Sequence, residues 1–139
     1  MAKAEVKKEW RTHFEPKARL VDYKSVFKFV DVRTLDELKA LFVGQKEFAF
    51  DTETTGLDYN VAKIAGFSFS FDGVTGYYVP IAHKKDKNAG RECLDFIVEK
   101  ICDDNMTVLM FNKKFDLNML EICEGYNIGI RFNVKCVQA

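Results

Sequence analysis

An α/β fold with a mixed central sheet is what this sequence predicts, and three observations carry the reading. Apolar runs of strand length crowd the stretch from Glu47 to Pro80, broken by the turn signals Thr55-Gly56 and Asp72-Gly73. From Arg91 to Cys102 the period becomes helical, with Leu94, Ile97, Val98 and Ile101 on one face. Thr107 to Phe111 is then a continuous apolar strand that leads into a second helical stretch. Strands first, followed by alternating helix and strand, is the order of an α/β domain.

In chain order, residues 1–24 hold seven Lys or Arg against four Asp or Glu, with no sustained periodicity, and read as a basic N-terminal leader. Residues 25–139 form the domain. Val26 to Val30 is a short strand. Thr34-Leu35-Asp36-Glu37 has the spacing of a capping box and opens a helix to about Phe42, stopped by Gly44. The strands expected next are Glu47 to Thr52, Ile64 to Phe71 and Gly76 to Pro80, the last two as a hairpin. After the helix at Arg91–Cys102 and the strand at Thr107–Phe111, a helix from Lys113 to Glu124 turns Phe115, Met119, Leu120 and Cys123 inward and ends at Gly125. A final strand is expected at about Arg131 to Val137. No internal repeat is visible.

Composition narrows the classes. A chain of 139 residues with 47% hydrophobic residues and thirteen Phe can bury one core, so one domain is expected. Lys plus Arg equals Asp plus Glu at 21 each, which leaves only local patches to meet a polyanion. Cys93, Cys102, Cys123 and Cys136 form no C-x-x-C pair and sit in apolar segments, the pattern of reduced core thiols rather than a zinc site. Without a run of about 18 apolar residues or a signal-type apolar region, the expected compartment is the cytoplasm.

The chemistry concentrates in Phe48-Ala49-Phe50-Asp51-Thr52-Glu53-Thr54-Thr55-Gly56-Leu57-Asp58. Alternate side chains of an extended strand share a face, so Asp51 and Glu53 point the same way. Two like charges held that close repel, and a hard cation such as Mg2+ or Mn2+ is the usual reason to hold them there. A strand running into an Asx- and Thr-rich turn explains a bare D-x-E equally well. A second cluster follows the buried strand, where Asn112 and Asp116 lie four apart on one face of a helix start. Taken alone, Asn112 is a preferred N-cap and Asp116 a favourable charge at a positive helix end. Together with Asp51 and Glu53 the balance shifts, because adjacent strands can bring three carboxylates and an amide to one edge.

With these residues in view, the chain resembles the 3′-to-5′ proofreading exonuclease domain of family A, polymerase-I-like DNA polymerases, within the ribonuclease-H-like (DEDD) exonuclease superfamily. The first motif is Phe50 to Asp58 and the second Asn112-Lys113-Lys114-Phe115-Asp116. Between them Ala65 to Ser70 and Gly76 to His83 resemble the hairpin of the polymerase-attached branch. The likeness spans roughly residues 26 to 134. It implies a two-metal site for Mg2+ or Mn2+, with Asp51 bridging the ions, Glu53 on one, and Asp116 holding the other mainly through water. It also implies contacts to the 3′ end of single-stranded DNA from Asn112, from Leu57 as a wedge on the last base, and from backbone N–H groups of Thr52 to Thr54. Ordinary core packing is the competing account of Leu57.

His83 reads as a surface or packing residue, since the general base of related enzymes comes from a later motif. The basic run Lys84, Lys85, Lys87 and Arg91 is left over, and its lysines read as a solvated loop; the competing account gives them, with Lys113 and Lys114, phosphate contacts to single-stranded DNA, with Phe and Tyr faces stacking bases. The chain departs from the family at the third motif, a helix bearing Tyr-x-x-x-Asp or His-x-x-x-x-Asp. Gly125 to Ala139 contain no acid, and Tyr126 has Ile130 four positions on. The expectation is a partial exonuclease domain that stops before the last catalytic helix, has little activity alone, and partners the remainder of a DNA polymerase. A phage source with a split polymerase gene, acting in the host cytoplasm, fits that expectation. The alternatives are an inactive nucleic-acid-binding or scaffold module of the same fold, and an exoribonuclease, since neither motif reports a 2′-hydroxyl.

Overall fold

The computed structural model describes residues 28–85 and 87–137; the expected leader, and Val26 and Phe27 of the first expected strand, lie outside them. The sheet is organised around β2 (Glu47–Thr54), whose alternation is realised: Phe48, Phe50 and Thr52 are buried, and Ala49, Asp51 and Glu53 are exposed. On one side β2 pairs antiparallel with β3 (Ile64–Ser70), which pairs antiparallel with β4 (Thr75–Pro80), the expected hairpin. β1 (Lys28–Asp31) runs parallel to β4. On the other side β5 (Thr107–Met110) is parallel to β2, and β6 (Val134–Cys136) is parallel to β5. The order is β1-β4-β3-β2-β5-β6, a mixed sheet as the sequence predicts.

Helices bury one face. α1 (Leu35–Phe42) begins at Thr34, whose Oγ1 accepts the Glu37 N–H at 3.2 Å. The return arm of the capping box slips by one residue, because Glu37 Oε2 accepts from the Arg33 N–H. α2 (Arg91–Ile101) presents Leu94, Ile97, Val98 and Ile101 inward as expected. Phe42 is the hub of the interface, with ring centroids 5.1 Å from Phe48, 5.2 Å from Phe69 and 5.5 Å from Phe96. Fully burying such a ring contributes about 1.5–3 kcal/mol.

The other face carries, row by row, Leu109, Ala49, Ser70 and Phe29, then Asp51, Ser68 and Tyr78, then Glu53, Gly66 and Pro80. Its small central residues and aromatic rim leave a hollow of about 740 Å³. At its end β3 gains one residue: Glu53 pairs with Gly66 but Thr54 with Ile64, so Ala65 is bulged out of the ladder. The Ala65 carbonyl accepts the N–H groups of both Ile81 and Ala82 at 2.8 Å, which turns the chain out of β4.

Two expectations at the C-terminal side are corrected. The helix expected from Lys113 to Glu124 is α-helical only over α3 (Lys113–Asn118) and then widens to a π-turn over Met119–Cys123. Glu124 N–H accordingly reaches Met119 O, five residues back, and Gly125 ends the turn at φ 80°. From this position Glu124 Oε1 accepts the Ile64 N–H and Oε2 pairs with Arg91. The strand expected at Arg131–Val137 is only β6, because residues 131–133 cap α2 instead. Arg131 donates to Cys102 O, and Asn133 Nδ2 donates to Ile101 O and Asp103 O. Among the described residues the four cysteines are free thiols, but Cys136 is exposed rather than a core residue. No helix among them is long and apolar enough to cross a membrane.

Candidate active site

Strand parity puts Asp51 and Glu53 on the open face, both exposed. Neither carboxylate is engaged by a hydrogen bond or ion pair among the described residues, so both are available to a ligand. Thr52, one step along, faces the covered side. There its N–H (3.3 Å) and its hydroxyl (2.5 Å) both donate to Asp116 Oδ1. The first motif therefore contributes three side chains on two faces: two carboxylates outward and one hydroxyl that fixes the carboxylate of the second motif.

Asp116 is 1% exposed and its Oδ2 has no hydrogen-bond partner. Burial is the main reason its carboxyl is pushed up to about 6; the charge of Asp51 adds to the rise, and the Thr52 hydroxyl and N–H oppose it. A buried carboxylate with one bare oxygen, near enough to Asp51 to feel its charge, fits a nearby divalent cation. The donor set of hard carboxylate oxygens suits Mg2+ or Mn2+. Among the described residues no three His, Cys, Asp or Glu side chains are already gathered as a metal cage: Asp51 and Glu53 share the open face, and Asp116 meets β2 from the other side.

The remaining expected site residues divide. Asn112 stands at the N-cap of α3 but makes no capping hydrogen bond, and its exposed amide lines the hollow. Leu57 is 81% exposed in the turn after β2, which removes core packing as its role. Thr54 Oγ1 donates to Gly56 O and shapes that turn. Two groups expected to contact a strand end have partners within the chain. The Thr52 N–H donates to Asp116 Oδ1. Lys113 Nζ donates to Val134 O at 3.1 Å, so this ammonium anchors β6. Arg91, the last residue of the basic run, opens α2 as expected, where it binds Glu124 and lies over the Tyr126 ring. The role of Thr52 was open to parity reasoning: the middle residue of D-x-E must face away from the acids, and a hydroxyl placed there needs a partner.

Comparison with known proteins bears on the family and the fold. The family model described as 3′-5′ exonuclease, drawn from family A DNA polymerases, matches residues 29–135. DNA polymerase I of Borreliella burgdorferi is 32% identical over 114 residues, covering 77% of this chain and 11% of that protein. DNA polymerase DpoZ of Vibrio phage phiVC8 is 34% identical over 73 residues, 52% of this chain and 10% of that one. The chain thus spans about a tenth of the curated relatives it matches. Among solved structures, the EXO domain of Aedes aegypti Nibbler superposes with a TM-score of 0.58 at 12% identity, over 78% of this chain and 52% of that one. Brucella melitensis NrnC with bound Mg2+ superposes at 0.54 and 22% identity, over 80% and 49%. These structural likenesses establish the ribonuclease-H-like exonuclease fold. With the family model covering most of its length, the chain belongs to the 3′-5′ exonuclease family of polymerase-I-like DNA polymerases.

Proposed function

We propose that this chain is the hydrolytic unit that removes nucleotides from the 3′ end of DNA, with Mg2+ or Mn2+ held by Asp51, Glu53 and Asp116. The observation that carries the proposal is the buried Asp116, whose Oδ2 is unpartnered and whose carboxyl feels the charge of Asp51. A pair of such ions, when bound, lowers the pKa of a water and neutralises the leaving 3′-oxygen. The residues of the chain do the rest. Asp51 and Glu53 present their oxygens on the open face, Thr52 holds Asp116 in place, and Asn112 and Leu57 meet the terminal nucleotide, with the Thr54 backbone beside them. Lys114, exposed at the start of α3, is better placed for phosphate than Lys113.

Residues 125–139 contain no acid, so a fourth carboxylate and the group that orients water come from another segment, the remainder of a DNA polymerase acting in the cytoplasm. The isolated 139 residues then hydrolyse DNA slowly, and a longer polypeptide or an added third-motif segment restores the rate. Calorimetric titration with Mn2+ tests the site directly. The chain should release or absorb heat on binding, weakly because the ligand set is incomplete, and Asp51→Ala should not. Equal heats from the two proteins would sink the metal site. End-dependent binding of a single strand without hydrolysis in the longer polypeptide would instead favour the inactive binding module.

A further inference from the structure

The turn that joins β2 to β3 is exposed along most of its length, yet two kinds of tie hold it. Its own hydrogen bonds fix its shape. Thr55 N–H donates to Lys63 O and Lys63 N–H donates to Thr55 Oγ1, both at 2.9 Å, so the turn is zipped where it leaves the sheet. Further in, Asp58 Oδ1 accepts the Asn60 N–H at 2.9 Å, and the Asp58 carbonyl accepts from Val61 at 3.1 Å and Ala62 at 2.8 Å. These bonds begin and end within the turn, so they do not set its angle to the site acids.

Tyr59 supplies the second kind of tie. It is half-buried, whereas Leu57 and Val61 on either side are 81% and 76% exposed. Its ring centroid lies 5.9 Å from that of Phe115, and its carbonyl accepts the Cys123 thiol at 3.2 Å. That oxygen is the nearer and harder of two acceptors for the thiol, the other being Met119 Sδ at 3.6 Å. Phe115 sits on α3 one residue before Asp116, and Cys123 closes the π-turn that continues α3. The turn that presents Leu57 is thereby bolted to the helix that carries the buried acid. Untied surface turns are mobile. Where a terminal nucleotide must meet both an apolar side chain and a metal site, a misplacement of about 1 Å costs on the order of a hundredfold in rate.

We propose that Tyr59, held by the Phe115 ring and the Cys123 thiol, is the positioning residue for Leu57, so that the apolar ledge and the carboxylate of Asp116 move as one body against the last nucleotide. The proposal rests on the exonuclease reading above. What Leu57 meets is the face of a base, which every base offers, so the contact is indifferent to sequence.

Fluorescence anisotropy of a 5′-labelled single strand with a free 3′ end, bound to the full chain in Ca2+, tests this through a double-mutant cycle without requiring turnover. Each variant is compared at a temperature where its circular dichroism matches the parent. Leu57→Ala should weaken binding about tenfold, the loss of an apolar contact. Tyr59→Ala should weaken it by about as much, and the double variant should be no weaker than either, where independent effects would multiply to about a hundredfold. Tyr59→Phe keeps the ring on Phe115 and should bind as the parent does. Cys123→Ala removes the thiol donor and should lose about threefold, again only while Leu57 is present. If Tyr59→Ala binds as tightly as the parent, or its loss multiplies with that of Leu57→Ala, Tyr59 merely stabilises the turn, and the proposal falls while the exonuclease reading stands. If Leu57→Ala costs nothing, there is no contact to position and the proposal falls in the same way. If the parent shows no preference for a free over a blocked 3′ end, both fall.

Discussion

On β2, Phe48 and Phe50 are packed beneath the helices, while Ala49, Asp51 and Glu53, each one residue away, are exposed on the open face, the first two lining its hollow. The covered face stores the folding free energy in interlocked rings, and the open face stores charge in water, where like carboxylates repel weakly because the dielectric is high. Asp116 crosses that division. It is a carboxylate on the dry side, and its raised pKa is the cost of carrying a candidate site residue into the core. The contrast separates stability from chemistry at single-residue resolution, and four substitutions test how cleanly.

The largest effect is expected on the open face. In a polypeptide that carries a third-motif segment, Asp51→Ala should lower the hydrolysis rate by about 10³-fold or more, since two-metal chemistry loses a shared ligand. Its urea midpoint should stay with the parent, because Asp51 is exposed and unbonded. A rate within tenfold of the parent would break the assignment.

On the covered face the order reverses. Phe42→Ala removes the ring at the centre of the α1 interface and should cost about 3–5 kcal/mol in urea unfolding. Mn2+ heats measured where the variant is still folded should match the parent. If they vanish in folded protein, the two faces are coupled and the contrast is too sharp.

Asp116 should report a pH dependence of the opposite sign to most carboxylates. Its folded pKa of about 6 lies above the ordinary 3.8, so the folded state binds its proton more readily than the unfolded chain. The stabilising contribution is complete below about 3.8 and is lost as pH rises through about 6, an amount of up to about 3 kcal/mol. Asp116→Asn should flatten this arm of the stability profile, measured without divalent ions, and Mn2+ should stabilise the parent at pH 7 but not the variant. A flat profile in the parent would overturn the burial of an ionisable Asp116. The smallest effect belongs to Thr52→Val, which keeps the shape and removes one donor. We expect a loss of about 1 kcal/mol at pH 7. The variant should also titrate Asp116 at higher pH, as read by the carboxyl carbon shift in NMR.

Much of this was legible in the sequence because it depends on local pattern. The helix period of Arg91–Ile101, the box at Thr34, the hairpin and the parity of Asp51 and Glu53 are set by residues within a few positions of one another. What escaped depends on distant partners. Nothing near Lys113 says that its ammonium will meet Val134 O, and nothing near Arg131 says that it will serve the end of α2. Asn112 has the right type for a cap, yet its side chain caps nothing, which propensity alone cannot foresee. Spacing and the family likeness together pointed to the candidate site acids, but the covered-side seat of Asp116 emerges only when α3 is packed across Thr52.

The carboxylate of Glu124 ties together the first amide of β3, the guanidinium at the start of α2 and the end of the π-turn. In native-state hydrogen exchange such a knot joins otherwise separate opening events. The Ile64 amide should exchange only when all three segments let go, so the strand that carries Gly66 shares one protection free energy with the start of α2 and the π-turn. Glu124→Gln should split that shared value into two, turning one cooperative unit into a pair that breathe independently.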